Sequence, residues 1–165
     1  MKRMMIVSAV CVLLAAGCDY TVPLVKTPNL PVDSAVVGLW RRTAGDNTGE
    51  RLLVLPLSKQ EYLVVFPAGT KDAMFARGCL WRDGDTPVVQ LDWFGTGRGS
   101  LPDDHRTFQY ATYALDQDTL SIRLLNPDVV AADITASDAL ADAVTDHKNH
   151  PDLFREKMVF EKIKH

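Results

Sequence analysis

Three clusters in this 165-residue chain hold side chains able to do chemistry. Asp146, His147 and His150 put one carboxylate and two imidazoles within five positions. On a helix, Asp146 and His150 would stand one turn apart and could share a metal ion. Asn149 and Pro151 argue that such a helix is ending there. Spacing supplies no third and fourth ligand, and His147 and Lys148 also suit the negative end of a helix dipole. Asp103, Asp104 and His105 form a second cluster, in which a carboxylate could orient a general base. No Ser or Cys nucleophile signature accompanies it, so no catalytic residue is assigned and the chain is expected to be non-enzymatic, with a hydrolase as the remote alternative. The third cluster is Gly95-Thr96-Gly97-Arg98-Gly99-Ser100. A glycine loop that cradles dinucleotide phosphates needs Gly at its sixth place and a helix after it; Ser100 and then Leu101-Pro102 supply neither. It reads as an inter-strand loop, and no cofactor is expected. Asp83, Asp85 and Asp92 surround a turn but lack calcium-loop spacing.

Cysteine chemistry is more specific. Met1-Lys2-Arg3 is short and positive, and Met4 to Ala16 is an apolar run of 13 residues broken only by Ser8. A bilayer-spanning helix needs about 20 such residues, so the run reads as the apolar core of a signal peptide. Ala15-Ala16-Gly17-Cys18 follows, small residues and then a thiol. The segment resembles the lipobox of bacterial lipoproteins, with Leu14 one place earlier than that family usually has Leu. The resemblance implies cleavage between Gly17 and Cys18 and acylation of the Cys18 thiol. It also implies a membrane-anchored protein of the cell envelope. Asp19 leans the expectation toward the periplasmic face of the inner membrane over the outer membrane. A small-x-small cut at Ala15 and Gly17, giving a soluble secreted protein, is the competing reading.

Cleavage there would leave residues 18–165, with 16 basic residues (18 less Lys2 and Arg3) against 21 acidic, a net charge of −5. Such a balance excludes a basic nucleic-acid face and offers no polybasic patch for anionic lipids. Cys11 would leave with the signal and Cys18 would carry lipid. Cys79 would then stand alone, between Gly78 and Leu80, as a buried thiol with no disulfide partner.

The elements that must position these groups are strands. Residues 18–34, with Pro23, Pro28 and Pro31, lack periodicity and read as a lipidated Pro-rich tether lifting the domain off the membrane. Residues 35–165 read as a single β-rich domain, large enough for a real core. Eight strands are expected at 36–42, 51–57, 61–66, 74–82, 87–94, 107–115, 119–125 and 157–163, divided by turn chemistry such as Asp83-Gly84-Asp85. Leu120, Ile122 and Leu124 alternate with Ser121 and Arg123, and Val89, Leu91 and Trp93 with Gln90 and Asp92. Each set marks one buried and one wet face. Residues 62–66 are apolar on both faces and need cover on both sides, or line a cavity. Ser137 to Val144 predicts one α-helix before the last strand, with Ser137 as N-cap and Leu140, Ala143, Val144 and His147 on one face. A turn is expected at Asn126-Pro127.

Eight hairpin-linked strands predict an antiparallel barrel or curled sheet, with a two-layer β-sandwich as the alternative. Gly38-Leu39-Trp40 resembles the Gly-x-Trp element of lipocalin-like barrels. That resemblance implies a barrel-floor role for Gly38 and Trp40 and a basic residue stacked on Trp40, with Arg123 as the candidate. Two functions follow as expectations. One is a barrel binding a small apolar ligand or lipid, which needs an internal cavity. The other is an interaction or scaffolding lipoprotein with an envelope protein partner, which needs a solid core and an exposed apolar patch.

Overall fold

The computed structural model describes residues 19–99, 101, 105–155 and 157–164. Among them are eight strands: β1 Gly38–Arg42, β2 Arg51–Pro56, β3 Glu61–Phe66, β4 Met74–Asp83, β5 Thr86–Thr96, β6 Phe108–Asp116, β7 Thr119–Leu124 and β8 Met158–Lys162. Each pairs antiparallel with its chain neighbour, and β1 pairs with β8, so the sheet is a closed barrel. Closure removes both sheet edges and sets aside the sandwich alternative. Turns at Asp83-Gly84-Asp85 and Asp116-Gln117-Asp118 lie where turn chemistry places them; Gly84 and Gln117 have φ of 58° and 52°. The start of the first strand differs from expectation. Val36 belongs to a 3₁₀ turn, Ser34–Val36, capped by Asp33 Oδ1, which accepts from Ala35 N at 3.0 Å.

Period-2 alternation sorts the side chains. Trp40, Leu52, Val54, Tyr62, Val64, Leu80, Trp93, Leu120 and Phe160 form one buried inner cluster, joined by partly buried Val89, Leu91 and Ile122. Residues 62–66 are covered on both faces, as their pattern requires. Tyr62 and Val64 point inward, while Val65 packs outside with Ala68, Ala73, Leu53, Leu63 and Phe75. One α-helix, α1 Ser137–Asp146, precedes β8 among the described residues. It buries Leu140 and Val144 against the outer wall of β5 and β6, on a cluster with Val88, Tyr110, Leu125, Val130 and Leu153. Ser137 is not its N-cap. Ala136 holds that position with extended φ and ψ and no side-chain cap, so Ser137 opens the first turn.

Residues 19–33 do not stand free of the barrel. Sixteen residues from Asp19 to Ser34, fully extended, would reach about 55 Å. Instead they fold onto the domain as a strap. Tyr20 pairs with Phe108 across an isolated bridge and is wholly buried, and Leu24 is buried beside it. The strap then crosses to the opposite rim, where Val32 N donates to Lys59 O in the β2–β3 turn at 3.0 Å. Leu30, Val32, Val36 and Val37 pack on the inner cluster and close that end.

Candidate functional site

The strap is held by side chains from three strands, β3, β5 and β6. The Tyr20 hydroxyl donates to Val130 O at 2.8 Å, and its ring meets Tyr110 edge-on at 5.2 Å between centroids. The Tyr110 hydroxyl donates to Val22 O. Gln90 mimics a strand neighbour: its Oε1 accepts from Val25 N at 2.8 Å and its Nε2 donates to Val25 O at 3.1 Å. Gln90 is therefore buried, contrary to its place on an expected wet face; the strap, remote in sequence, covers it. At the far rim, Asp33 Oδ2 accepts from the Tyr113 hydroxyl at 3.0 Å, and Asp33 N lies 2.5 Å from Tyr62 Oη. Burial pushes all four tyrosine hydroxyls up from their ordinary range, so each remains a neutral donor at physiological pH.

Gly38 and Trp40 lie at the start of β1, with Trp40 wholly buried. Gly38 has φ of 145°, where other residues are strained, and a Cβ there would lie 3.0 Å from Lys162 Cε. Trp40 Nε1 donates to Val36 O at 2.9 Å. The cation over its ring is Lys162, with Nζ 5.0 Å from the centroid, and not Arg123. Arg123 instead donates to Arg155 O at 2.9 Å and Phe154 O at 2.8 Å, holding the connection into β8. Lys162 lies beside Trp40 because β8 pairs with β1 in that register, a closure that local sequence does not reveal.

The other sequence candidates separate. His147 is the C-cap of α1, its Nδ1 2.8 Å from Ala143 O, and His150 Nδ1 accepts from Asp152 N at 3.1 Å. Their rings stand 6.4 Å apart, and no group of three or more ligating side chains gathers with them or with Asp146 among the described residues. His105 is exposed with φ of 58°, while Asp103 and Asp104 lie outside the described residues, as do Gly17 and Cys18. The glycine loop is a tight turn. Thr96 bridges Gly99, Gly97 N donates to Ala73 O at 2.6 Å, and a Cβ at Gly97 would lie 2.8 Å from Lys71 O. Cys79 is buried on the outer wall under the strap, 3.7 Å from Gln90 Nε2. Burial first, and then the Glu61 and Asp92 charges, push its thiol up to about 11, so it is not a thiolate at neutral pH.

Two concavities lie outside the barrel. A cleft of about 220 Å³ separates α1 from the outer wall, between Val88, Thr112, Arg123 and Val144. A wider depression of about 550 Å³ is bordered by Arg123, Asn126, Asp128, His150, Asp152 and Arg155. Its Arg155 reaches Asp19 Oδ2 at 3.4 Å, so the depression adjoins the root of the strap. Compared with known proteins, the chain matches no family model, no curated protein and no solved structure.

The outer wall of β2 to β5 presents a different surface. Leu55, Leu57 and Phe94 are exposed, Phe94 at 56%, and Phe94 leans on Phe75 with centroids 6.5 Å apart. No motif in the sequence singles these three out. The signal was present in part, because Phe94 follows Trp93 on a strand whose alternate positions already fill the interior.

Proposed function

We propose that this chain is a lipid-anchored envelope lipoprotein, attached through Cys18, whose barrel works as a non-enzymatic interaction module for an envelope protein. The carrying observation is the combination of an occupied interior with an apolar outer wall. Trp40, Tyr62 and Phe160 are buried together inside, where a carrier of apolar ligands would keep space. Leu55, Leu57 and Phe94 are exposed outside, where a partner with a complementary apolar face would bury them. The lipobox-like segment supports the anchor, and the Gly38–Trp40 floor supports a rigid scaffold.

Native mass spectrometry of the protein purified from its own envelope tests this. The expected species is a chain starting at Cys18 with acyl mass added, in a defined complex with one protein that dissociates in Phe94→Ser. A chain starting at Met1, or a stoichiometric small molecule in place of the partner, would overturn it.

One observation favours the ligand-binding reading. Gln109 lies between Phe108 and Tyr110, which pack outward, so its amide faces the interior. It is buried, and its Nε2 finds no hydrogen-bond partner among the described residues. A ligand with an oxygen acceptor amid apolar groups would satisfy it. Copurification of such a molecule, lost in Gln109→Leu, would decide for that reading.

A further inference from the structure

We infer that the barrel rests directly on the bilayer in one orientation, with the surface around Asp19 and Arg155 set in the phospholipid headgroup layer. This rests on the Cys18 anchor proposed above and adds to it where the domain sits and which face meets lipid. The argument is one of reach. Cys18 is bonded to Asp19, and Tyr20 is already part of the fold, bridged to Phe108 and hydrogen-bonded to Val130. Two Cα steps cover about 8 Å at most. One leaflet's headgroup layer is roughly 5–8 Å deep. An acyl chain in the hydrocarbon, joined through the Cys18 side chain and its glyceryl group, therefore leaves the barrel little slack above the headgroup layer.

The surface at that root suits phospholipid headgroups. Arg155 is paired with Asp19 but still partly exposed, Arg106 lies close enough to act on the Asp19 charge, and Lys157 is exposed two residues beyond Arg155. Exposed Asp128 and Asp152 border the adjoining depression of about 550 Å³. Cations for phosphate and carboxylates for amine match a zwitterionic headgroup layer, and the mixed charge explains contact without a polybasic patch. The β2–β3 turn at Lys59 lies at the opposite rim, where the strap ends at Val32, and faces away from the membrane. The apolar wall with Leu55 and Phe94 then stands beside the bilayer at a fixed height.

Site-directed spin labelling of the acylated protein tests this, in vesicles of phosphatidylethanolamine and phosphatidylglycerol. Labels go on Asp128→Cys, Asp152→Cys and Lys59→Cys in a Cys79→Ser background, with intact mass confirming acylation in each sample. On reconstitution the labels at 128 and 152 should lose several-fold of their accessibility to a water-soluble nickel complex, while the label at 59 keeps its own. A Gly-Ser insert of about ten residues after Cys18, with a typical reach of about 18 Å, should restore access at 128 and 152 with acylation unchanged. Acylated protein whose labels at 128 and 152 stay as accessible as the label at 59 would overturn the orientation. So would an insert that changes nothing. A chain without acyl mass would overturn the anchor itself, a separate result from either.

Discussion

The outer wall of β5 and β6 up to Asp92 and the outer wall from β2 to the Phe94 end of β5 follow the same pleat and carry similar residue types, yet the strap and α1 cover the first, while the second has only its own β3–β4 loop over Val65. On the first, Val88, Tyr110 and even Gln90 are buried, because the strap and α1 lie over them. On the second, Leu55 and Phe94 remain 39% and 56% exposed. The difference does not come from the strands. It comes from whether a segment distant in sequence returns to cover them; in the function proposed above, the exposed wall is where a partner would lie.

That comparison can be broken from its covered side first. Tyr20→Ala removes a fully buried ring, its edge-on contact and the hydroxyl bond to Val130. It should cost about 3–5 kcal/mol, read as a shifted urea midpoint of the non-acylated Cys18→Ser form. Equality of Tyr20→Ala with the parent would mean that the strap is not part of the fold. Gln90→Ala breaks both bonds to Val25 and leaves that backbone unsatisfied, for about 1–3 kcal/mol; amide hydrogen exchange should quicken at Val25 and not at Leu53.

Cys79 probes the same cover through pH. Its pKa is raised in the folded state from 9.0 to about 11, so the native thiol holds its proton longer than the unfolded one. Its contribution is fully present below pH 9 and is lost as pH rises toward 11. Stability should therefore fall over that interval, less so in Cys79→Ser. Alkylation of the native Cys18→Ser form at pH 8 should be far slower than in denaturant. The smallest stability effect belongs to the bare wall. Phe94→Ser should change the unfolding free energy by less than about 0.5 kcal/mol, while abolishing the partner complex; a large loss of stability would mean that the wall serves the fold.

Much of the barrel was legible in the sequence. Alternation at Leu120, Ile122 and at Val89, Leu91, Trp93 gave strands with the correct inward faces, and turn residues such as Gly84 marked their ends. Leu140 and Val144 placed the buried face of α1. What escaped was the strap, since three prolines and no period look alike whether a segment is free or docked. Gln90 was misplaced for the same reason: a polar side chain signals a wet face unless something unseen supplies backbone partners. Lys162 over Trp40 depends on the last strand meeting the first, a contact that no local pattern records. Of the metal candidates, His147 and His150 keep their rings 6.4 Å apart, but α1 ends at Asp146 and no third ligand gathers with them among the described residues.

The bond from Tyr20 to Val130 O spans 110 residues. At a synthesis rate of roughly 5–20 residues per second, its acceptor emerges about 5–20 s after its donor. During that interval the Tyr20 hydroxyl has no Val130 carbonyl to donate to. Any enzyme that modifies the first residues of the strap meets an unfolded polypeptide there, and finds the opportunity gone once the sixth strand and the loop after the seventh have been made.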